Sequence, residues 1–189
     1  MRSPCTADGI GIHKALREKA WGDEPKHLRP YTLKPTVIPP NMVVIVDTRE
    51  QASPLLAKPP KGLVIVRDTL TDGDYGIRGL PLFAIERKFM GDIFPYCATE
   101  QLSHTKPKMI RFREMIKQGG WVGLAIQERE SEVYQFQQFT KIHPEAVRQA
   151  IVSFEVKFGI HVYFNKDKDR IVSWMVDRMV KYYNMMHEV

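Results

Sequence analysis

Leu82-Phe83-Ala84-Ile85-Glu86-Arg87-Lys88 runs four apolar residues straight into three charged ones. The apolar half fits a strand of a packed core, and the charged half ends that strand. Side chains alternate along a strand, so Glu86 and Lys88 share one face and Arg87 takes the other. Upstream, Gly79-Leu80-Pro81 suits a hairpin turn, and Asp72-Gly73-Asp74-Tyr75-Gly76 is a turn-rich lead through Ile77 into the other arm. Antiparallel pairing of the arms brings Asp74 toward Glu86. Asp92 follows Lys88 after a three-residue gap, where strand gives way to helix.

Further upstream, Met42-Val43-Val44-Ile45-Val46 is continuously apolar and mostly β-branched, which predicts a strand covered on both faces. It breaks into Asp47-Thr48-Arg49-Glu50. A Pro-rich connection from Ser53 to Gly62 leads to a second strand, Leu63 to Arg67. Downstream the period changes. Between Thr105 and Gln118, Met109, Phe112, Met115 and Ile116 share one helical face, while Lys106, Arg113 and Lys117 gather on another. Gly119-Gly120 ends that helix. Trp121 to Ile126 reads as a strand and Gln127 to Lys141 as a loop. Pro144 opens a helix with the stripe Val147, Ala150, Ile151, Phe154 and Phe158, stopped by Gly159. A strand from Ile160 to Phe164 and a final helix from Asp167 to Tyr183 complete the order. The last helix turns Val172, Met175, Val176 and Met179 inward. A group of strands followed by alternating helices and strands is an α/β pattern.

The ordered domain is expected over residues 42–189. Residues 1–41 read as an arm: prolines at 4, 25, 30, 35, 39 and 40 enforce extended backbone after a short helix from His13 to Trp21. The arm is mildly basic. It suits a solvated tail better than a DNA-gripping one; packing through Trp21 and Tyr31 is the third option.

The chain's 189 residues suffice for one domain with a core of its own. No apolar run is long enough to span a membrane, and the first thirty residues hold no signal-peptide core. Cys5 and Cys97 are the only cysteines, which excludes a disulfide framework and points to a reduced compartment. The six histidines show no zinc spacing with them. A formal net charge of +6 is compatible with a polyanionic partner but does not require one.

The chemistry lies in the acids. Asp47, Asp74, Glu86 and Asp92 all fall at strand ends, where sites in such sheets gather. Carboxylates converging on one point repel unless a cation neutralises them, and Mg²⁺ prefers such oxygen ligands. Lys88 would add fixed positive charge beside a scissile phosphate. Each residue also has a plain reading: Glu86-Arg87-Lys88 as a solvated edge, Asp92 as a helix cap, Asp74 as a turn residue, and Asp47 as a partner of Arg49. The attachment of the triplet to a core strand favours the site.

Val46-Asp47-Thr48-Arg49-Glu50, Gly73-Asp74-Tyr75 and Glu86-Arg87-Lys88 with Asp92 resemble the XPF-type nuclease domain, whose signature is G-D-x(n)-E-R-K-x-x-x-D. The resemblance covers about Met42 to Tyr183. It implies a restriction-endonuclease-like, PD-(D/E)xK fold, a mixed central sheet flanked by helices. It also implies DNA endonuclease activity at branches, flaps or junctions, in repair or recombination. Asp47, Asp74 and Glu86 would hold Mg²⁺, or Mn²⁺ in its place; Lys88 would assist cleavage; Arg87, Asp92, Arg49 and Glu50 complete the motif blocks. The chain is more similar to short standalone nucleases of bacteria and their phages, since no helix-hairpin-helix module is read after the last helix. Expected partners are DNA and a second copy of the chain, with no membrane and no nucleotide cofactor, in the cytoplasm or nucleoid. The face of Val172, Met175, Val176 and Met179 suits such pairing, although ordinary core packing explains it better. DNA phosphates would be met by Arg49 and by Lys106, Lys108, Arg111, Arg113 and Lys117. Tyr134, Phe136 and Phe139, interleaved with glutamines, suit either base stacking or, more simply, packing of their own loop. The rival readings are a non-catalytic DNA-binding or scaffold module of this fold, and a restriction-like or junction-resolving nuclease.

Overall fold

A computed structural model describes residues 36–98 and 102–188, the side chains of 102–104 excepted. The helix expected between His13 and Trp21, with the rest of the arm to Pro35, lies outside the described residues.

Six strands form one sheet in the order β2-β1-β3-β4-β5-β6. They are β1 (Val43–Asp47), β2 (Val64–Asp68), β3 (Tyr75–Ile77), β4 (Leu80–Lys88), β5 (Trp121–Ile126) and β6 (His161–Phe164). β1 pairs in parallel with β2 and antiparallel with β3; β3 and β4 are antiparallel; β4, β5 and β6 run parallel. The sheet is therefore mixed, as expected. The β3–β4 hairpin turns on Arg78-Gly79, with Gly79 at φ +79°, a conformation glycine adopts without steric cost. β4 thus starts at Leu80, two residues earlier than the expected strand.

Alternation divides the core in two. Val44, Val46, Tyr75, Phe83 and Ile85 face α6 (Lys168–His187), where Ile171, Val172, Met175, Val176 and Met179 cover them. This stripe is core packing. The other face is covered by α2 (Met90–Cys97), α3 (Leu102–Lys117) and α5 (Pro144–Phe158). Phe94, Met109, Phe112, Val147, Ile151 and Phe154 meet Ala84, Val122, Leu124 and Ile126 there. Continuous apolar strands are what a sheet covered on both sides requires.

Local chemistry sets the ends. The His143 ring accepts from the Glu145 amide, Pro144 opens α5, and Gly159 closes it at φ +74°. Asp167 caps α6 by accepting from the amides of Asp169 and Arg170. Two single turns depart from the sequence expectation. α1 (Pro54–Ala57) lies inside the Pro-rich connection, capped by Ser53, and α4 (Glu130–Val133) lies inside the segment expected to be a loop. Ile38 packs on the α6 side of the core. Among the described residues no helix is long and apolar enough to cross a membrane.

Candidate active site

Backbone pairing brings the motif acids side by side. The Asp47 amide donates to the Asp74 carbonyl at 2.9 Å, and the Asp74 amide donates to the Ile85 carbonyl at 2.8 Å. Asp47, Asp74 and Glu86 therefore stand at one level, across the carboxyl ends of β1 and β4. Gly73 makes this approach practicable. It has φ +81°, and a Cβ there would press on the Ala84 Cβ and the Ile85 carbonyl, each at 3.1 Å. The Asp74 carboxylate accepts from the Arg87 amide at 2.7 Å, which ties it to β4.

Glu86 is 1% exposed. One oxygen accepts from Lys88 Nζ at 2.6 Å and Lys108 Nζ at 3.0 Å; the other accepts from Lys108 at 2.9 Å. Burial opposes ionisation of Glu86, but the two amines outweigh it and hold the carboxyl below its usual range. Asp74 is pushed up to about 6, first by burial and then by the charge of Glu86. Lys88 is opposed by burial yet held charged by Glu86, with Asp74 and Asp92 adding to the field. Its amine also lies 4.8 Å from the centre of the Tyr96 ring, whose buried hydroxyl has no hydrogen-bond partner.

Asp47 is equally buried but separately engaged. Its carboxylate receives Arg49 Nε at 2.7 Å, Arg49 Nη2 at 2.9 Å and the Leu70 amide at 2.8 Å. The three acids expected at one centre carry separate partners in this structure. Among the described residues, no three His, Cys, Asp or Glu side chains are grouped closely enough to hold a metal ion. The reason is local neutralisation: Arg49 takes Asp47, while Lys88 and Lys108 take Glu86. Asp74 and Glu86 remain electrostatic neighbours. Asp92 is exposed in the first turn of α2, with Phe89 as the cap residue.

Arg87 points to the opposite face, as alternation requires. Its guanidinium donates to Glu50 at 2.8 Å, Gln127 at 2.8 Å and the Ala52 carbonyl at 2.9 Å, and lies over Phe89. It braces the sheet behind the site.

The basic residues of α3 separate into two sets. Lys108 and Arg111 turn toward the site, onto Glu86 and Asp72. Lys106 and Lys117 are exposed, Lys117 paired with Glu114; Arg113 lies beside Glu114 and over the Phe158 ring. Sequence reasoning gave Lys108 a phosphate-contact role but missed its pairing with Glu86, and it missed Tyr96 altogether. Lys108 immediately precedes Met109 of the buried stripe, which sets it at the rim of that stripe. Tyr96, two residues after buried Phe94, carried no comparable signal.

The ERCC4 domain model matches residues 46–177. Among solved structures, XPF from Aeropyrum pernix superposes with a TM-score of 0.52 at 16% identity, over 75% of this chain and 65% of that one. A second structure, XPF from Aeropyrum pernix in complex with DNA, gives 0.49 at 14% identity, over 76% and 65%. The chain thus spans 65% of the length of each of these two XPF structures. No curated protein matches the sequence. The family model takes in every motif acid and both site lysines, and the fold agrees with XPF: the chain belongs to the ERCC4 domain family, the XPF-type nuclease domains.

Proposed function

We propose that this protein is a divalent-metal-dependent DNA endonuclease acting at branched, flap or junction DNA. The observation that carries the reading is the Asp74–Glu86 carboxylate pair beside the amines of Lys88 and Lys108. The donor set suits Mg²⁺: two neighbouring carboxylates, Asp74 resisting ionisation through burial and then through the charge of Glu86, with phosphate and water oxygens left to complete the shell. Asp74 and Glu86 would hold the ion, and Asp47 would join them if Arg49 released it. Bound there, the ion would neutralise phosphate charge and acidify a coordinated water.

The chain's own residues supply the rest. Lys88 is held charged by Glu86, so it serves as a fixed cation for a phosphate oxygen rather than as a general base. Lys108 orients the Glu86 carboxylate. Arg49, 68% exposed at the site's rim, and exposed Lys106 and Lys117 are placed to meet backbone phosphates; Arg113, set over Phe158, is the least available. Work on DNA would place the protein in the cytoplasm or on the nucleoid. Pairing of two copies would use a surface other than the face of Val172, Met175, Val176 and Met179, which is buried in the core.

The test is cleavage of flap, fork and plain duplex DNA with Mg²⁺, Mn²⁺ or EDTA. Cutting should require metal and favour the branched substrates. Asp74→Ala and Lys88→Ala should each lower the rate by about a hundredfold or more. Metal-supplied protein that leaves all three substrates intact, or variants that cut as well as the parent, would overturn it.

A further inference from the structure

The segment between β5 and α5 carries two phenyl rings that the fold leaves in solvent: Phe136 is 76% exposed and Phe139 is 58% exposed. Packing of the loop, the simpler expectation from sequence, does not account for them. The two lie three residues apart in one segment, so both rings are offered to solvent from the same short stretch.

The rings are held in place from below. Phe139 meets buried Phe94 edge-on at 5.6 Å, Tyr134 meets Phe164 at 5.9 Å, and Phe136 meets His143 at 4.9 Å. The Gln137 side chain donates to the carbonyls of Glu132 and Gln135, and the Thr140 amide closes a turn on the Gln137 carbonyl. An anchored ring loses little freedom when a ligand stacks on it.

The segment also starts at the candidate active site. The Gln127 amide donates to the Lys88 carbonyl at 2.8 Å, and its side chain accepts from Arg87. Phe94, under Phe139, belongs to α2, the helix whose Tyr96 ring lies beside the Lys88 amine. The surroundings suit a nucleic acid better than an apolar partner. From Gln135 to His143 there is no acidic residue; Gln135, Gln138 and Lys141 are exposed. The amides can donate and accept at any base edge, and the lysine can meet a phosphate.

We infer that Phe136 and Phe139 form a stacking platform for unpaired bases, holding single-stranded DNA at the rim of the active site. This deepens the nuclease proposal and rests on its DNA substrate. It gives the domain a sequence-tolerant means of sensing an unpaired strand next to the point of cleavage.

The test reads binding, not cutting. Fluorescence anisotropy in EDTA compares an oligothymidylate with a blunt duplex of equal length. Phe136→Ala/Phe139→Ala should weaken oligothymidylate binding about tenfold or more and leave duplex binding and the salt slope unchanged. Phe136→Tyr/Phe139→Tyr should bind like the parent, while Phe136→Leu/Phe139→Leu, apolar but not planar, should not. In the unaltered protein, 5-iodouracil in a single strand should photo-crosslink to Phe136 or Phe139, a readout that needs no variant to fold. Parent protein that ignores the single strand, equal losses on both ligands, a leucine variant that binds fully, or crosslinks confined to other residues each overturn the inference. A protein that stacks but never cuts would sink the nuclease proposal and leave this one standing.

Discussion

Asp74 is the residue where folding and the proposed function pull apart. Its carboxylate is partly buried and repelled by Glu86, so the charged form costs stability. Asp74→Asn keeps an oxygen for the Arg87 amide and removes that charge. In EDTA at neutral pH it should stabilise the fold by about 1 kcal/mol, raising Tm by about 2–4 °C in a differential scan. Added Mg²⁺ should stabilise the parent and not the variant; equal responses would exclude Asp74 from a metal site. Tyr96→Phe keeps the ring beside Lys88 and removes a buried hydroxyl without a partner, so it should stabilise by about 1 kcal/mol. Cys97 gives the pH prediction. Burial pushes its thiol up to about 12 from 9.0. A raised pKa in the folded state favours the protonated form, so this contribution is intact below pH 9 and is lost as pH rises toward 12. Native protein at pH 8 should therefore leave the Cys97 peptide unalkylated by iodoacetamide, and denatured protein should not. At this scale the motif acids and Lys88 were legible, because type and spacing along a strand determine a face. The ion pairs were not: whether Arg49 or a metal takes Asp47 depends on where flexible side chains settle.

The helices and strands were legible where their signals are local. Pro144 and Gly159 bracket α5 because one residue has its ring-fixed φ and no amide to lose, while the other accepts a left-handed φ. Gly159→Ala leaves only ordinary contacts with Ile116, at 3.6–3.7 Å, so its cost is conformational. About 1 kcal/mol is expected in a urea titration, with the slope unchanged. α1 and α4 escaped notice because a single turn has no period to read. The pairing of Lys108 with Glu86 escaped for a different reason. A helix face can be read from spacing, but which sheet residue it meets is set by docking, here of α3 over β4.

Across the molecule, the two cores answer to different substitutions. Met175→Ala, at the centre of α6 and fully buried, should cost about 2–5 kcal/mol and unfold the sheet from the side away from the carboxylates. The mixed sheet itself was readable as α/β, yet the order β2-β1-β3-β4-β5-β6 was not, since apolar strands carry no label for their neighbours. Arg87 joins distant parts of that sheet. One guanidinium fastens the segment after β1, strand β4 and the start of the segment after β5. A single-pronged cation at position 87 can satisfy one of these and strand the others. Arg87→Lys should therefore loosen both flanks of the cleft at once, a lesion felt in front but made at the back of the sheet.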